Sequence, residues 1–542
     1  MVSRVIIGCL LCTCALFQVG PSRAQELSTT VLPDPELTIG AAIDQLIGER
    51  LARAGLEPAP LAGELNLLRR TTLDLAGRIP TAREAREYLE SNAPDKRREL
   101  IEQLLGSPEF VAHQVNLLDA LLMQSRRSSL RDYLERAVTE NRSWDRMFRE
   151  MIVGEPGDGE QSGAIQFLRS RISDIDRLTN DVSVIFFGVN ISCAQCHDHP
   201  LVHDWTQDHF FGMKAFFYRS FENGGFVGER EYGELEYKTV AGESRKAGLM
   251  FLSGSRLPES EVAEPSEDQR KQEKAQLEEL KKQKQPPPTA SYSRKARLVD
   301  VGLESENATY FARAIVNRIW QRLIGRGLVH PVDQLHRGNP ASHPELLDWL
   351  ARDLMHHGYD LRRLIGGIVS SDTYARSGIW ESASRPPAEL HAVAILRPLL
   401  PQQYAASLAL AAFDPEQLNS PDAPKKIQAR VQFSRGFADW FELPGDEFQV
   451  GSEESLLLSN SDRAARELFA DGNETLVARL RACSDIASAV DLAGWNVLNR
   501  PLADAERRIL TEYLQQRQDR LAEGYRQMVW AMMTSAECRF NY

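Results

Sequence analysis

The stretch Asp174-Ile-Asp-Arg-Leu-Thr-Asn-Asp-Val-Ser-Val-Ile-Phe-Phe-Gly-Val189 sets Ile175, Leu178, Val182, Ile185, Phe186 and Val189 at helical spacing. Residues three and four apart share a helix face, so the segment predicts a helix with one apolar side turned to a core. It runs directly into Cys193-Ala-Gln-Cys-His197, so the helix that decides the fold class also delivers the one strong chemical motif of the chain.

The same periodicity extends in both directions. Upstream, Leu65 to Phe110 is helical by pattern: Thr81-Ala-Arg-Glu84 after Pro80 is a capping box, and Asp95 precedes Lys96 to Leu105, closed by Gly106. Further helices are expected near 108–125 and 130–152. Downstream, Thr206 to Phe217 reads as a helix carrying His209, Phe210, Met213, Phe216 and Phe217. From Gly224 the pattern changes. Glu234 to Val240 alternates, Ala241 to Gly248 is turn-like and Leu249 to Leu252 is apolar, which predicts a small β-hairpin. Residues 256–289 are dominated by Glu, Lys, Gln and Pro and end in Pro286-Pro287-Pro288, a solvated helix or a disordered linker with nothing to bury. Helices resume at Ala308 to Leu323, after a Ser342-His-Pro-Glu345 capping box, and from Asp360 to Val369. The expected fold is mainly α, with two helical domains separated by a small β-hairpin region and a charged linker. The expected boundaries are 25–223 for the first helical domain, 224–255 for the hairpin, 256–298 for the linker and 299–542 for the second helical domain.

Covalent attachment of haem c needs two thiols to add to the vinyl groups of the ring and an imidazole close enough to bind iron. On a helical turn positions i, i+3 and i+4 share a face, so Cys193, Cys196 and His197 are the expected cofactor-binding set, with His197 as the iron ligand. Met213 and His209, one turn apart, are the candidates for a distal ligand, and Phe210, Phe211, Phe216 and Phe217 either wall a haem or form plain core. Other readings use the same cysteines. A structural zinc would take Cys193 and Cys196 with His199 or His203. A redox dithiol is a further reading, although no thioredoxin-like βαβ pattern surrounds the motif, and a structural disulfide is another. Of these, only haem attachment calls for a histidine directly after the second cysteine.

Met1-Val-Ser-Arg4, an apolar run from Val5 to Gly20 and Ser22-Arg23-Ala24-Gln25 together predict a secretory signal over residues 1–24, hence a periplasmic or secreted protein with no membrane span after signal removal. The composition is that of a globular chain: 542 residues, 42% apolar, 26% charged, formal net charge −12. The predicted signal carries Arg4 and Arg23 and no acid, so its loss leaves the chain more acidic. An acidic surface without a basic cluster argues against nucleic acid as a partner. Cys9, Cys12 and Cys14 fall in the signal, and four remaining cysteines are too few for a disulfide scaffold; Cys483 and Cys538 either pair or stay as buried thiols.

Several longer landmarks are present. Leu68-Arg-Arg-Thr-Thr-Leu-Asp-Leu-Ala-Gly-Arg-Ile-Pro-Thr81 and Cys193-Ala-Gln-Cys-His-Asp-His-Pro200 with Trp205 stand in the first half. Phe311-Ala-Arg-Ala-Ile-Val-Asn-Arg-Ile-Trp320, Gly325-Arg-Gly-Leu-Val329, His343-Pro-Glu-Leu-Leu-Asp-Trp-Leu350, Ser370-Ser-Asp-Thr-Tyr374 and Asn499-Arg-Pro-Leu502 stand in the second. In these stretches and their order the chain resembles the planctomycete-type cytochrome c-like proteins, in which a cytochrome c-like domain precedes a planctomycete-specific domain of unknown function. The resemblance implies an exported protein with a haem-type motif but no settled reaction. Two departures stand out: Leu201-Val-His-Asp204 follows Pro200 where the family usually has a Phe-Asp pairing, and Tyr542 ends the chain where the family often has histidine.

Three functions therefore compete. The leading one is a haem-binding electron-transfer protein working with a redox partner protein. The second is a haem-dependent oxidoreductase or peroxidase-like enzyme, although the sequence shows no independent acid–base or nucleophilic constellation. The third is a binding or scaffold protein with zinc or a disulfide at the cysteines.

Overall fold

Asp174 caps the helix that the apolar spacing predicts. Its carboxylate accepts the Arg177 N–H at 3.0 Å, and the helix runs Ile175–Phe187 until Gly188 takes the left-handed conformation at φ 68°. The structure, a computed structural model, describes residues 34–124, 129–155, 157–198, 202, 205–260, 262–382, 384–444 and 452–542. It is 57% helix and 6% strand, the mainly helical class the pattern implies. The predicted signal at 1–24 lies outside the described residues.

Leu178, Val182, Ile185 and Phe186 are fully buried. Phe186 meets Trp144, Phe148 and Phe167 at ring-centroid distances of 5.5, 4.5 and 5.4 Å, and Phe311 at 6.4 Å. Aromatic pairs of this kind add about 0.5–1.5 kcal/mol each beyond their buried area. Phe311 belongs to the helix Ala308–Ile324, so partners from both sides of the charged segment hold the motif-bearing helix.

Among the described residues the buried apolar side chains form two clusters. One spans Ile39 to Val393 and the other runs from Leu399 to Cys538, joined by Leu73 and Ile79. The segment after residue 299 feeds both: Phe311 to Val393 complete the first core, and Leu399 onward builds the second. The helix Glu64–Ala76 is the pivot, with Leu75 and Ala76 in the first core and Leu73 in the second. Its arginines fasten the chain end. Arg69 donates to Asn499 Oδ1 at 2.7 Å, and Arg70 donates to the carbonyls of Arg376 at 2.9 Å and Tyr542 at 3.1 Å.

Strands are few. β1 (Ser220–Asn223) pairs antiparallel with β2 (Phe226–Glu229) through a two-residue Gly224-Gly225 turn at positive φ. In the expected hairpin only β3 (Glu236–Lys238) and β4 (Ser244–Lys246) pair, with Tyr237 opposite Arg245. A short β5 (Arg397–Pro398) pairs with β6 (Phe540–Asn541) and ties the chain end to the middle. The charged segment is helical over Glu267–Gln283 with no buried residue, the solvated helix of the two readings.

Two expectations are corrected. The region 130–152 holds two helices, Arg131–Thr139 and Trp144–Ile152, because Asn141 turns left-handed at φ 53° between them. The helix expected to be capped by Ser342 is capped at His343 instead: Pro344, with its preset φ and no N–H, opens the helix, and the Ser342 N–H is spent on Leu328 O at 2.7 Å. No described helix is long and apolar enough to cross a membrane.

Candidate functional site: the cysteine motif

Past Gly188 the chain is clamped before it reaches the motif. Val189 N–H returns to Ser183 O at 3.0 Å, Asn190 N–H reaches Asp333 O at 3.1 Å, and Leu335 N–H reaches Gly188 O at 3.0 Å. Arg318 donates to Val184 O at 2.8 Å and pairs with Asp333, binding the end of the helix to the same loop. Two asparagines then shape the turn. Asn180 Oδ1 accepts Ile191 N–H at 3.2 Å, and Asn190 Oδ1 accepts both the backbone N–H and the hydroxyl of Ser192, at 3.1 and 2.7 Å.

The motif opens on a single 3₁₀ turn, Ser192–Gln195, with Cys196 as its C-cap and His197 just past it. Positions i and i+3 eclipse in that geometry, which puts Cys193 and Cys196 on one side of the turn. Both thiols are exposed and unpaired. Ala194 alone is buried and anchors the turn to the first core. Beneath it, Gln195 Nε2 donates to Asp176 Oδ2 at 3.0 Å.

His197 is exposed, with Nδ1 at 2.7 Å from the carbonyl oxygen of Asp198. The Asp198 carboxylate accepts Gln207 N–H at 3.0 Å at the start of the helix Gln207–Ala215. Asp198 thus holds the histidine with its backbone and the next helix with its side chain.

That next helix takes its aromatic side chains inward. Phe210, Met213, Phe216 and Phe217 are fully buried in the first core, and Phe211 stacks on Tyr237 at 4.1 Å. His209 Nδ1 accepts the Thr206 N–H at 3.2 Å, as part of a helix cap. Trp205 is buried and meets the His336 ring edge-on at 5.6 Å. His199 and His203 lie outside the described residues. Among the described residues no group of three or more His, Cys, Asp or Glu is placed to hold a metal ion.

The other described cysteines are thiols as well. Cys538 is buried in the second core and Cys483 is half-buried, and burial raises both above the usual thiol range. Asn317 and Trp320 serve packing: Asn317 bridges both backbone groups of Val329, at 2.8 and 3.0 Å, and Trp320 is fully buried. Tyr542 lies beside the Arg69 guanidinium and donates to Glu537 Oε1 at 2.9 Å. One site was invisible in the sequence: a cleft where Asp74 and His113 face Arg322, Arg326 and Arg397.

Fold and motif define a mainly helical protein that presents an exposed Cys-x-x-Cys-His turn. Residues 42–222 match the family model PSCyt2, a protein of unknown function (DUF1549), and residues 294–437 match PSD1, a protein of unknown function (DUF1553), in the order seen in planctomycete-type domains. No curated protein and no solved structure matches the chain.

Proposed function

We propose that this chain is an exported carrier of covalently attached haem c that exchanges electrons with a partner protein. The observation that supports it most is the state of His197. A carbonyl oxygen only accepts, so the 2.7 Å contact with Asp198 puts the proton on Nδ1 and leaves the Nε2 lone pair to bind iron. The residues present fit the group: two unpaired, exposed thiols stand three residues apart, on the 3₁₀ turn and at its C-cap, and His197 follows directly. Cys193 and Cys196 would hold the ring through thioether bonds and His197 Nε2 would hold the iron. Bound haem supplies one-electron exchange. The protein's part is positional: Asn180, Asn190 and Asp333 fix the turn, Asp198 orients the imidazole, and the exposed motif leaves room for a docking partner. The charged leader followed by Val5 to Gly20 and Ser22-Arg-Ala24 supports export, to the compartment where such haem is attached.

The test is haem staining after denaturing electrophoresis of protein made in a host that matures c-type haem. A stained band that disappears in a Cys193→Ala/Cys196→Ala double variant supports the reading. Unstained protein that carries zinc by elemental analysis replaces it with the structural-metal alternative.

A second reading, a haem-dependent oxidoreductase, draws on the two distal candidates. Met213 is packed in the core, and His209 Nδ1 accepts an N–H, which places its own proton on Nε2. Neither offers a free lone pair toward a bound iron without breaking those contacts, so this reading takes the sixth position as open. Carbon monoxide binding to the reduced protein supports an open position, and six-coordinate spectra oppose it.

A further inference from the structure

Where the two halves of the chain meet, a cleft of about 500 Å³ opens between the helices Glu64–Ala76 and Pro108–Met123 on one side and the end of the helix Ala308–Ile324 with β5 on the other. Its volume falls in the range of small-molecule sites, ~300–1,000 Å³. Its charge is one-sided: among the described residues Arg318, Arg322, Arg326 and Arg397 line it against a single carboxylate, Asp74.

That carboxylate is already satisfied. Arg397 grips it with two bonds, at 2.9 and 2.7 Å, Tyr374 donates its hydroxyl at 2.7 Å and Asn541 its amide at 3.0 Å. Arg318 is paired with Asp333. Two guanidiniums are left without a carboxylate among the described residues. Arg322 has only the amide oxygen of Gln114, at 3.3 Å, and its Nε is buried without a partner. Arg326 has no hydrogen bond or ion pair with any described residue.

Asp74 is the nearby carboxylate, and Arg397 shares it. Burial pulls the Arg322 guanidinium down to about 10, against the opposing pull of Asp74 and with Arg397 adding to the fall, and burial next to Arg322 pushes the His113 imidazole down to about 3, so His113 is neutral. A cation out of water without a counter-charge is costly, and the cost is recovered when an anion enters. The fold also enforces the crowding. Gly325, between the two arginines, sits at φ 102°, where a Cβ would come within 2.8 Å of Ile395 Cβ, so the chain bends there and brings Arg326 back to the cleft wall.

We propose that this cleft binds a small polar molecule through a doubly charged oxyanion, a sulfate or phosphate group, held by Arg322 and Arg326. Guanidinium forks match tetrahedral oxyanions in geometry, and two uncompensated cations match a dianion in charge. The site is independent of what the cysteine motif carries.

The experiment is a thermal-shift and calorimetric titration of the full chain with sodium sulfate and sodium phosphate, against sodium chloride at matched ionic strength. The expected result is a saturable rise in melting temperature with sulfate or phosphate that chloride does not give; the stronger ligand identifies the group. Arg326→Gln should weaken that anion at least tenfold while raising the anion-free melting temperature, because it removes a repelled cation. Arg98→Gln, on an exposed helix surface, should leave binding unchanged. An unsaturable response, or equal weakening in Arg326→Gln and Arg98→Gln, overturns the proposal as general salt screening, and so does no response beyond that of chloride.

Discussion

Acidification from pH 7.5 to 5 should strip this protein of much of its stability through three histidines. His113, His343 and His391 are 5%, 3% and 2% exposed. Burial is the leading cause in each, and it holds them down to about 3, about 4 and about 3, with the His343 ring adding to the effect at His391 and neighbouring arginines adding to it at all three. The Nε2 of His343 and both ring nitrogens of His391 are buried without partners, so neither ring has a carboxylate to stabilise a charge. An unfolded histidine titrates near 6.5. Below that pH the unfolded chain takes up protons that the folded chain refuses, so stability falls as pH falls, and the loss continues until the folded values are reached. At 1.36 kcal/mol per unit, each histidine costs about 2 kcal/mol at pH 5, and the three together about 6. That is comparable with the whole stability of an ordinary domain, ~5–15 kcal/mol. Carboxylates with depressed values, such as Glu506 at about 2, keep their stabilisation through this window and do not contribute. The assay is urea unfolding at pH 7.5, 6.5, 5.75 and 5, on the wild type and on His391→Leu, which keeps the packing and removes one titration. The wild type should lose stability progressively below pH 6.5, and the variant should lose about 2 kcal/mol less by pH 5. A wild type as stable at pH 5 as at 7.5, or a variant with the same pH slope, refutes the reasoning.

Other outcomes follow from single contacts. Gly188→Ala places a Cβ 2.2 Å from Leu335 Cδ1 at φ +68°, and should cost about 2–4 kcal/mol in urea unfolding; a change below about 0.5 kcal/mol shows that the clamp is soft. Asp74→Ala leaves the buried Arg397 guanidinium without its carboxylate and should cost about 3–5 kcal/mol, lowering the melting temperature more than Asp74→Asn does. Deleting residues 267–283 and joining the ends with a Gly-Ser linker removes a helix with no buried residue, so the melting temperature should stay within a few degrees of wild type.

The helical class was legible because the apolar spacing at Leu178, Val182, Ile185 and Phe186 is decisive by itself, and the Thr81–Glu84 capping box forms as its residues imply, with Thr81 N–H to Glu84 at 2.7 Å. Local signals failed where a second local signal competed. Pro344 displaced the Ser342 cap, and Asn141 broke a pattern that reads as one helix. The two-core arrangement was not legible, because Leu73 and Leu75 look equivalent in sequence yet face different clusters. The role of Arg69 and Arg70 was hidden for a related reason: their acceptors at Asn499, Arg376 and Tyr542 lie hundreds of residues away. At the candidate site, spacing alone gave the order of Cys193, Cys196 and His197, while the eclipsed 3₁₀ turn and the Asp198 carbonyl on His197 needed coordinates. The aromatic stripe after Thr206 proved to be core apart from Phe211. The arginine cleft had no sequence signature, since Asp74, Arg322 and Arg397 meet only through tertiary contacts.

Mass spectrometry of the proteolytic peptide spanning residues 193–197, from protein matured in a haem-c-competent host, puts the central claim to its most direct test. The account predicts one peptide carrying a porphyrin on both Cys193 and Cys196, with neither sulfur open to alkylation. The same peptide recovered with both cysteines alkylated and no porphyrin attached contradicts it.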